Sequence, residues 1–135
     1  MSAQTVLDGE AAVRAAVGHD LGASAWFELT DDRLRHFAEA TGDSTATYLA
    51  VSLSNMFLPQ IVEVRGFAMG INYGTEAVRL GPRPQAGDRL RGRATLVAVR
   101  DVNGGLQTEI AITVESESGG RSCTIESLSR WLRAS

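Results

Sequence analysis

A run from Ala46 to about Leu58 that is apolar almost all round most limits what this chain can fold into. Leu49, Val51, Leu53, Met56, Phe57 and Leu58 are distributed over every face of a helical projection, so the helix is expected to be buried rather than amphipathic. Pro59 disfavours helical geometry at the residue before it, and the helix is expected to stop near there. Whatever follows must cover it. Four long segments do follow, "VEVRGFAMGINYGTEAVRL", "DRLRGRATLVAVRDV", "LQTEIAITVESE" and "RSCTIESLSRWLRA", and each reads as strand. In the third, Ile110, Ile112 and Val114 alternate with Glu109, Ala111 and Thr113. The turn signals "GPRPQAGD", "NGG" and "SGG" separate the four. One central helix followed by four turn-linked strands implies an α+β fold, an antiparallel sheet wrapped around a buried helix.

The preceding residues supply smaller elements. Ala11, Ala12, Val13, Ala15, Ala16 and Val17 suit a short helix over residues 8 to 17 that Gly18 can end. "SAWFEL" suits a short strand. "TDDRLRHFAEATGD" is a capped helix: Thr30 is a fitting N-cap, Asp31 and Asp32 favour its positive end, and Leu34, Phe37 and Ala38 line one side. Gly42 closes it and leaves Asp43 just beyond.

At 135 residues the chain is expected to be one domain, 1 to 135, able to bury a core without disulfide or metal. A formal charge of -3 with 21% charged residues singles out no nucleic acid and no membrane surface as partner. Arg89, Arg91 and Arg93 alternate with apolar positions, as on the solvent face of a strand. Cys123 is the only cysteine, a buried inert thiol by expectation, and no Cys/His cluster has metal-ligand spacing. No metal and no cofactor is expected. The first residues carry Asp8, Glu10 and Arg14 and have no long apolar core, so neither a signal peptide nor a membrane span is expected, and the location is expected to be cytoplasmic.

"ELTDDRLRHFAEATGD" resembles the opening helix and loop of the MaoC-like hotdog family, the (R)-specific enoyl thioester hydratases and dehydratases. "GFAMGINYGTEAVRLGPRPQAGDRLRGRATLVAV" resembles the strands that follow, above all in the NodN-like branch, and the likeness spans roughly residues 20 to 133. The resemblance implies a hotdog fold, a long helix wrapped by an antiparallel sheet, working as a dimer or a double hotdog. It also implies an acyl chain on a pantetheine thioester, lying in a tunnel near the subunit interface. The substrate it implies is an acyl-CoA, an acyl-carrier-protein thioester, or a free polyketide-like product.

The family's catalytic loop reads Gly-Asp-x-Asn-Pro-x-His, followed by Ala-His-Gly at the start of the central helix. This chain keeps "TGD", and thus Asp43, but continues "STATYLAVSLSN". Counted back without gaps from "VRGFAMGINYG", Ala46 falls at the helix-start histidine and Thr47 at its glycine, with the segment bearing the catalytic histidine missing. Aligned without that deletion, Tyr48 falls at the histidine position. Neither alignment supplies a histidine.

Hydrating an enoyl thioester needs one group to activate water, another to protonate the α-carbon, and donors on the developing enolate oxygen. The resemblance makes Asp43 the acid/base candidate; on its own it also reads as a helix-end carboxylate that accepts backbone N–H bonds. Tyr48 is the nearest replacement donor, or else a core aromatic. Thr47 can present its backbone N–H to an oxyanion at the helix start. Ser52 and Asn55 share Tyr48's side of the helix and, on so apolar a helix, are expected to be buried, either bonding neighbouring carbonyls or lining a polar pocket. Asn72, Tyr73 and Gly74 sit in the family signature "INYG", either packing against the helix or admitting a ligand close to the backbone. His36, beside Arg33 and Arg35, and His19, in a turn, are not placed by sequence to replace the lost histidine. The leading expectation is a lyase acting on an acyl or polyketide thioester or its released product. A repurposed cyclase or isomerase of a polyketide-type intermediate, and a non-catalytic acyl-binding subunit of an intact homologue, are the alternatives.

Overall fold

The computed structural model describes residues 3–135. Its elements are β1 (Thr5–Asp8), α1 (Glu10–Ala15), β2 (Asp20–Ala23), β3 (Phe27–Glu28), α2 (Asp31–Thr41), α3 (Leu49–Ile61), β4 (Val62–Arg65), β5 (Met69–Leu80), β6 (Arg89–Val102), β7 (Gly105–Ser116) and β8 (Arg121–Leu132). The main sheet runs β2-β6-β7-β8-β5, with β3 also on β6, and every pairing in it is antiparallel. The helix α3 packs on one face of this sheet, giving the expected α+β arrangement.

Register explains the packing. Leu90, Gly92, Ala94 and Leu96 of β6, Ile110, Ile112 and Val114 of β7, and Cys123 and Ile125 of β8 share the inner face and are buried. Against them α3 lays Leu49, Leu53, Phe57 and Ile61, one residue per turn. Gly92 sets the closest approach: a Cβ there would lie 2.8 Å from the Cβ of Phe57, so only glycine lets the helix settle at this depth. On the outer face, Arg89 pairs with Glu117 (2.7 Å), Arg91 with Glu115 (2.6 Å) and Arg93 with Asp20 (2.8 Å). The three arginines thus form the solvent-facing row that their alternation predicts.

Three expectations are corrected. First, α3 neither begins at Ala46 nor stops before Pro59; it runs from Leu49 to Ile61. Pro59 lies in the last turn on an exposed side, where the bond its missing N–H would give to the Asn55 carbonyl is lost next to water. Buried Phe57 and Ile61 hold the turn closed around it, and the Val62 N–H caps the Leu58 carbonyl. Second, α3 is covered on one side, not all round. Ser52, Asn55 and Met56 are exposed, because a single sheet reaches one face of a helix. Third, the segment from Val62 to Leu80 is two strands. Gly66, at φ +87, turns the chain between β4 and β5, and β4 pairs in parallel with β1, a strand the alanine-rich reading of the N-terminus passed over. Among the described residues no helix is long and apolar enough to cross a membrane.

Candidate functional site

The helix α2 delivers Asp43 to the start of α3. Thr30 caps it, accepting the Arg33 N–H at 3.2 Å, and Asp31 and Asp32 occupy its first turn. Gly42 ends it in the left-handed region (φ +75), donating its N–H to the Ala38 carbonyl at 2.8 Å. The chain then makes a tight turn from Asp43 to Tyr48. Within it Ala46 is the one described non-glycine residue at positive φ (+54), a conformation that side chains carry at some cost.

The Asp43 carboxylate organises that turn. One oxygen accepts the Thr45 N–H at 3.0 Å and the Thr45 hydroxyl at 2.5 Å; the other accepts the Thr47 N–H at 3.0 Å. The Thr45 and Thr47 hydroxyls are themselves 2.6 Å apart. These donors favour the charged form. The Thr45 hydroxyl does most to hold the carboxyl below its ordinary pKa, the backbone N–H groups of Thr45, Thr47 and Tyr48 add to it, and partial desolvation opposes them. Asp43 is therefore an ionised acceptor at the head of the central helix.

Its neighbours divide. The Thr47 N–H, expected to face an oxyanion, is bound to Asp43 instead. Tyr48 is not a core aromatic: it is 61% exposed, and its phenol makes no hydrogen bond to a described residue. Ser52 donates its hydroxyl to the Leu49 carbonyl at 2.7 Å. It and Asn55, expected to be buried, both face outward from the covered stripe.

The structure does bring Asn55 and Asn72 together. They line a cleft of about 140 Å³ between α3 and the inner sheet face, with Ser54, Leu58, Ser127 and Ser129. Tyr73 takes the opposite face by simple alternation. Its ring lies under the Arg130 guanidinium, 3.7 Å from the centroid, and Arg130 in turn donates to Gln107 at 2.9 Å. Tyr73 thus does not pack against the helix. At Gly74, beside a β-bulge and paired with Leu128 of β8, a Cβ would meet nothing within 4 Å, so neither helix nor side chain crowds that position. A larger concavity of about 460 Å³ lies on that outer face between Tyr73, Glu76, Arg100 and Glu109. Its charged walls and its separation from Asp43's face of the sheet make it the poorer place for an acyl chain.

The sequence reading missed Ser127 and Ser129, although a signal was there. Along β8 the inner-face positions run Cys123, Ile125, Ser127, Ser129, Trp131, a switch from apolar to hydroxyl within one strand face. Neither histidine is drawn in: His36 is exposed on α2, and His19 is an exposed residue whose backbone pairs with Leu96. Neither makes a hydrogen bond or an ion pair with Asp43.

No family model matches the chain. Among characterised proteins, it is 30% identical over 139 residues to the 3-hydroxyacyl-thioester dehydratase Z of Mycobacterium tuberculosis (strain H37Rv), covering 87% of this chain and 92% of the relative. It is 29% identical over 131 residues to Nodulation protein N of Rhizobium leguminosarum bv. viciae, covering 81% of each. Since 87% of 135 residues is about 117, about 22 of the 139 aligned positions with the dehydratase fall opposite gaps in this chain. Among solved structures, the MaoC-like dehydratase from Rhodospirillum rubrum superposes with a TM-score of 0.67 at 16% identity, over 89% of this chain and 94% of that one. The R-hydratase PhaJ1 from Pseudomonas aeruginosa gives 0.66 at 14% identity, over 87% and 83%. At such identities the two structures establish the hotdog fold.

Proposed function

Since the chain belongs to the MaoC-like hotdog family of hydratases and dehydratases, we propose that it adds water to, or removes it from, an acyl thioester. The observation that carries this reading is an ionised Asp43 at the start of α3, in a chain aligned with a 3-hydroxyacyl-thioester dehydratase over most of its length. In the dehydration direction Asp43 takes the α-proton and passes it to the β-hydroxyl, which leaves as water while a double bond forms between the two carbons. Tyr48 is the hydrogen-bond donor within reach of the same turn. The substrate is an acyl thioester, carried on CoA or on an acyl carrier protein.

The working unit in this proposal is a homodimer. On β5, which among the described residues pairs with β8 alone, one long edge is left open, and Met69, Ile71, Val78 and Leu80 are exposed along the strand. A second copy would cover this strand and the uncovered side of α3, where Tyr48 and Met56 project. Hydration of crotonyl-CoA and longer enoyl-CoA thioesters, followed in solution by loss of the enoyl absorbance, tests the reading, and Asp43→Asn should lower it steeply.

A second reading has its own observation. Asp43 already satisfies three backbone or hydroxyl donors of its own turn, and neither His19 nor His36 hydrogen-bonds to it, which suits a non-catalytic acyl-binding subunit paired with an intact homologue. No turnover by the homodimer, with turnover restored by an intact homologue, selects that reading.

A further inference from the structure

The cleft between α3 and the sheet has an unusual floor for a fold that buries helix against strand. Asn72 of β5 pairs with Ser129 of β8, and Ser127 lies two residues along the same inner face. Asn55 of α3 lines the rim of the same cleft. Other polar side chains nearby are already satisfied: Ser54 donates to the Val51 carbonyl at 2.7 Å, and Thr108 accepts the Trp131 ring N–H at 3.0 Å. Asn55, Asn72, Ser127 and Ser129 make no side-chain hydrogen bond to any described residue. Two amides and two hydroxyls therefore converge on one space with their donors and acceptors free.

We propose that this cleft holds a neutral, oxygen-bearing segment of the acyl chain, one carrying a hydroxyl, ketone or ether, in preference to plain alkyl. The inference rests on the acyl-thioester reading above and specifies its substrate class. Every side chain lining the cleft is uncharged, so nothing there complements a phosphate or an ammonium group. Leu58, Pro59 and Ile112 supply apolar contact for carbon, while the two asparagines and two serines offer both donors and acceptors. The space of about 140 Å³ matches a segment of about six heavy atoms, since a cavity of about 150 Å³ holds benzene. That is too small for a whole pantetheine arm. An alkyl chain in the same place would strip water from four polar side chains and return nothing. Each donor or acceptor left bare lowers affinity on the order of tenfold.

Calorimetry on the full-length protein decides it, with hexanoyl-CoA, its analogues hydroxylated at C4, C5 or C6, and free CoA. At least one hydroxylated chain should bind ten times more tightly than hexanoyl-CoA, and Ser127→Ala or Ser129→Ala should reduce that ratio while leaving the affinity for free CoA and the far-ultraviolet spectrum unchanged. If no hydroxylated chain outbinds hexanoyl-CoA, the inference fails and the thioester reading stands. A matching loss of affinity for free CoA in the serine variants places pantetheine in the cleft and also overturns it. If none of the acyl-CoAs binds better than free CoA, both readings fall together.

Discussion

The carboxylate of Asp43 accepts the backbone N–H of Thr47 at 3.0 Å. One residue thereby fixes the turn in front of α3, and it is the same residue proposed above as the acid/base. The same bond occupies the amide that an oxyanion would use, so any substrate carbonyl must either displace Asp43 from Thr47 or draw its donors from elsewhere.

Asp43→Asn separates these roles. The amide keeps one acceptor oxygen for Thr45 but carries no charge and cannot take a proton, so the turn is weakened while acid/base chemistry is removed. Hydratase kcat should fall by about 10² to 10⁴-fold, the usual contribution of a positioned acid/base group, with a small fall in Tm. Enoyl-CoA assays with thermal melts on the same sample measure both. Turnover that survives the substitution removes Asp43 from proton transfer.

Acid should destabilise the fold through this turn and through the N-terminal helix. Asp43 is held low chiefly by the Thr45 hydroxyl, and Glu10 is held low chiefly by its hydrogen bond to Arg133. A carboxyl depressed in the folded state adds stability that is fully present above its ordinary value, 3.8 for Asp43 and 4.5 for Glu10, and is lost as pH falls through the folded one. Urea midpoints should therefore decline below about pH 4.5. The decline should be shallower in Asp43→Asn and Glu10→Gln; identical slopes would show that other groups govern it.

Gly92→Ala should destabilise the chain by about 1 to 3 kcal/mol, the range for overpacking a filled core. The new methyl would meet Phe57, which is fully buried. Phe57→Ala alone should cost about 3 to 5 kcal/mol. Combined, the two should cost less than their sum, because the cavity admits the methyl. Denaturant unfolding of the four proteins gives the coupling, and strict additivity refutes the contact.

Much of this architecture is legible in residues 30 to 42 and 106 to 116, where a cap, a terminating glycine and a two-residue period leave one reading each. The end of α3 is not. Pro59 is a local signal to stop, and the burial of Phe57 and Ile61 two residues to either side overrides it through contacts that no local rule contains. Parity decides Asn72 against Tyr73: neighbours on a strand face opposite ways, and which of them meets the helix depends on a register set by β8. The turn at Asp43 is a matter of geometry alone. "TGDSTAT" contains every donor and acceptor that the turn uses, yet nothing in the string says that the carboxylate turns back onto Thr45 and Thr47 instead of out toward a substrate.

Cys123 should be inert until the protein unfolds. Its thiol is buried between β7 and β5, and burial pushes its pKa up to about 11, against a smaller opposing effect of a backbone hydrogen bond at Val114. Because the thiolate is the reacting species, a disulfide reagent at pH 8 should label the native protein slowly and the urea-unfolded protein at once. Rapid native labelling would place the sulfur at the surface.

The proposed dimer gives the sharpest test at β5. Ile71 is 40% exposed and Val78 is 40% exposed on a strand whose far edge has no partner among the described residues, and edge strands of this length invite pairing. Ile71→Lys or Val78→Lys puts a charge on that strand without entering the packed stripe of α3. Light scattering should then report a monomer where the unaltered chain gives twice that mass, with circular dichroism unchanged. If acyl-thioester binding also needs the second copy, affinity should fall in step with dimer content across protein concentration. A chain that is monomeric without any substitution refutes the pairing, and one that stays dimeric with both lysines places the interface on another surface.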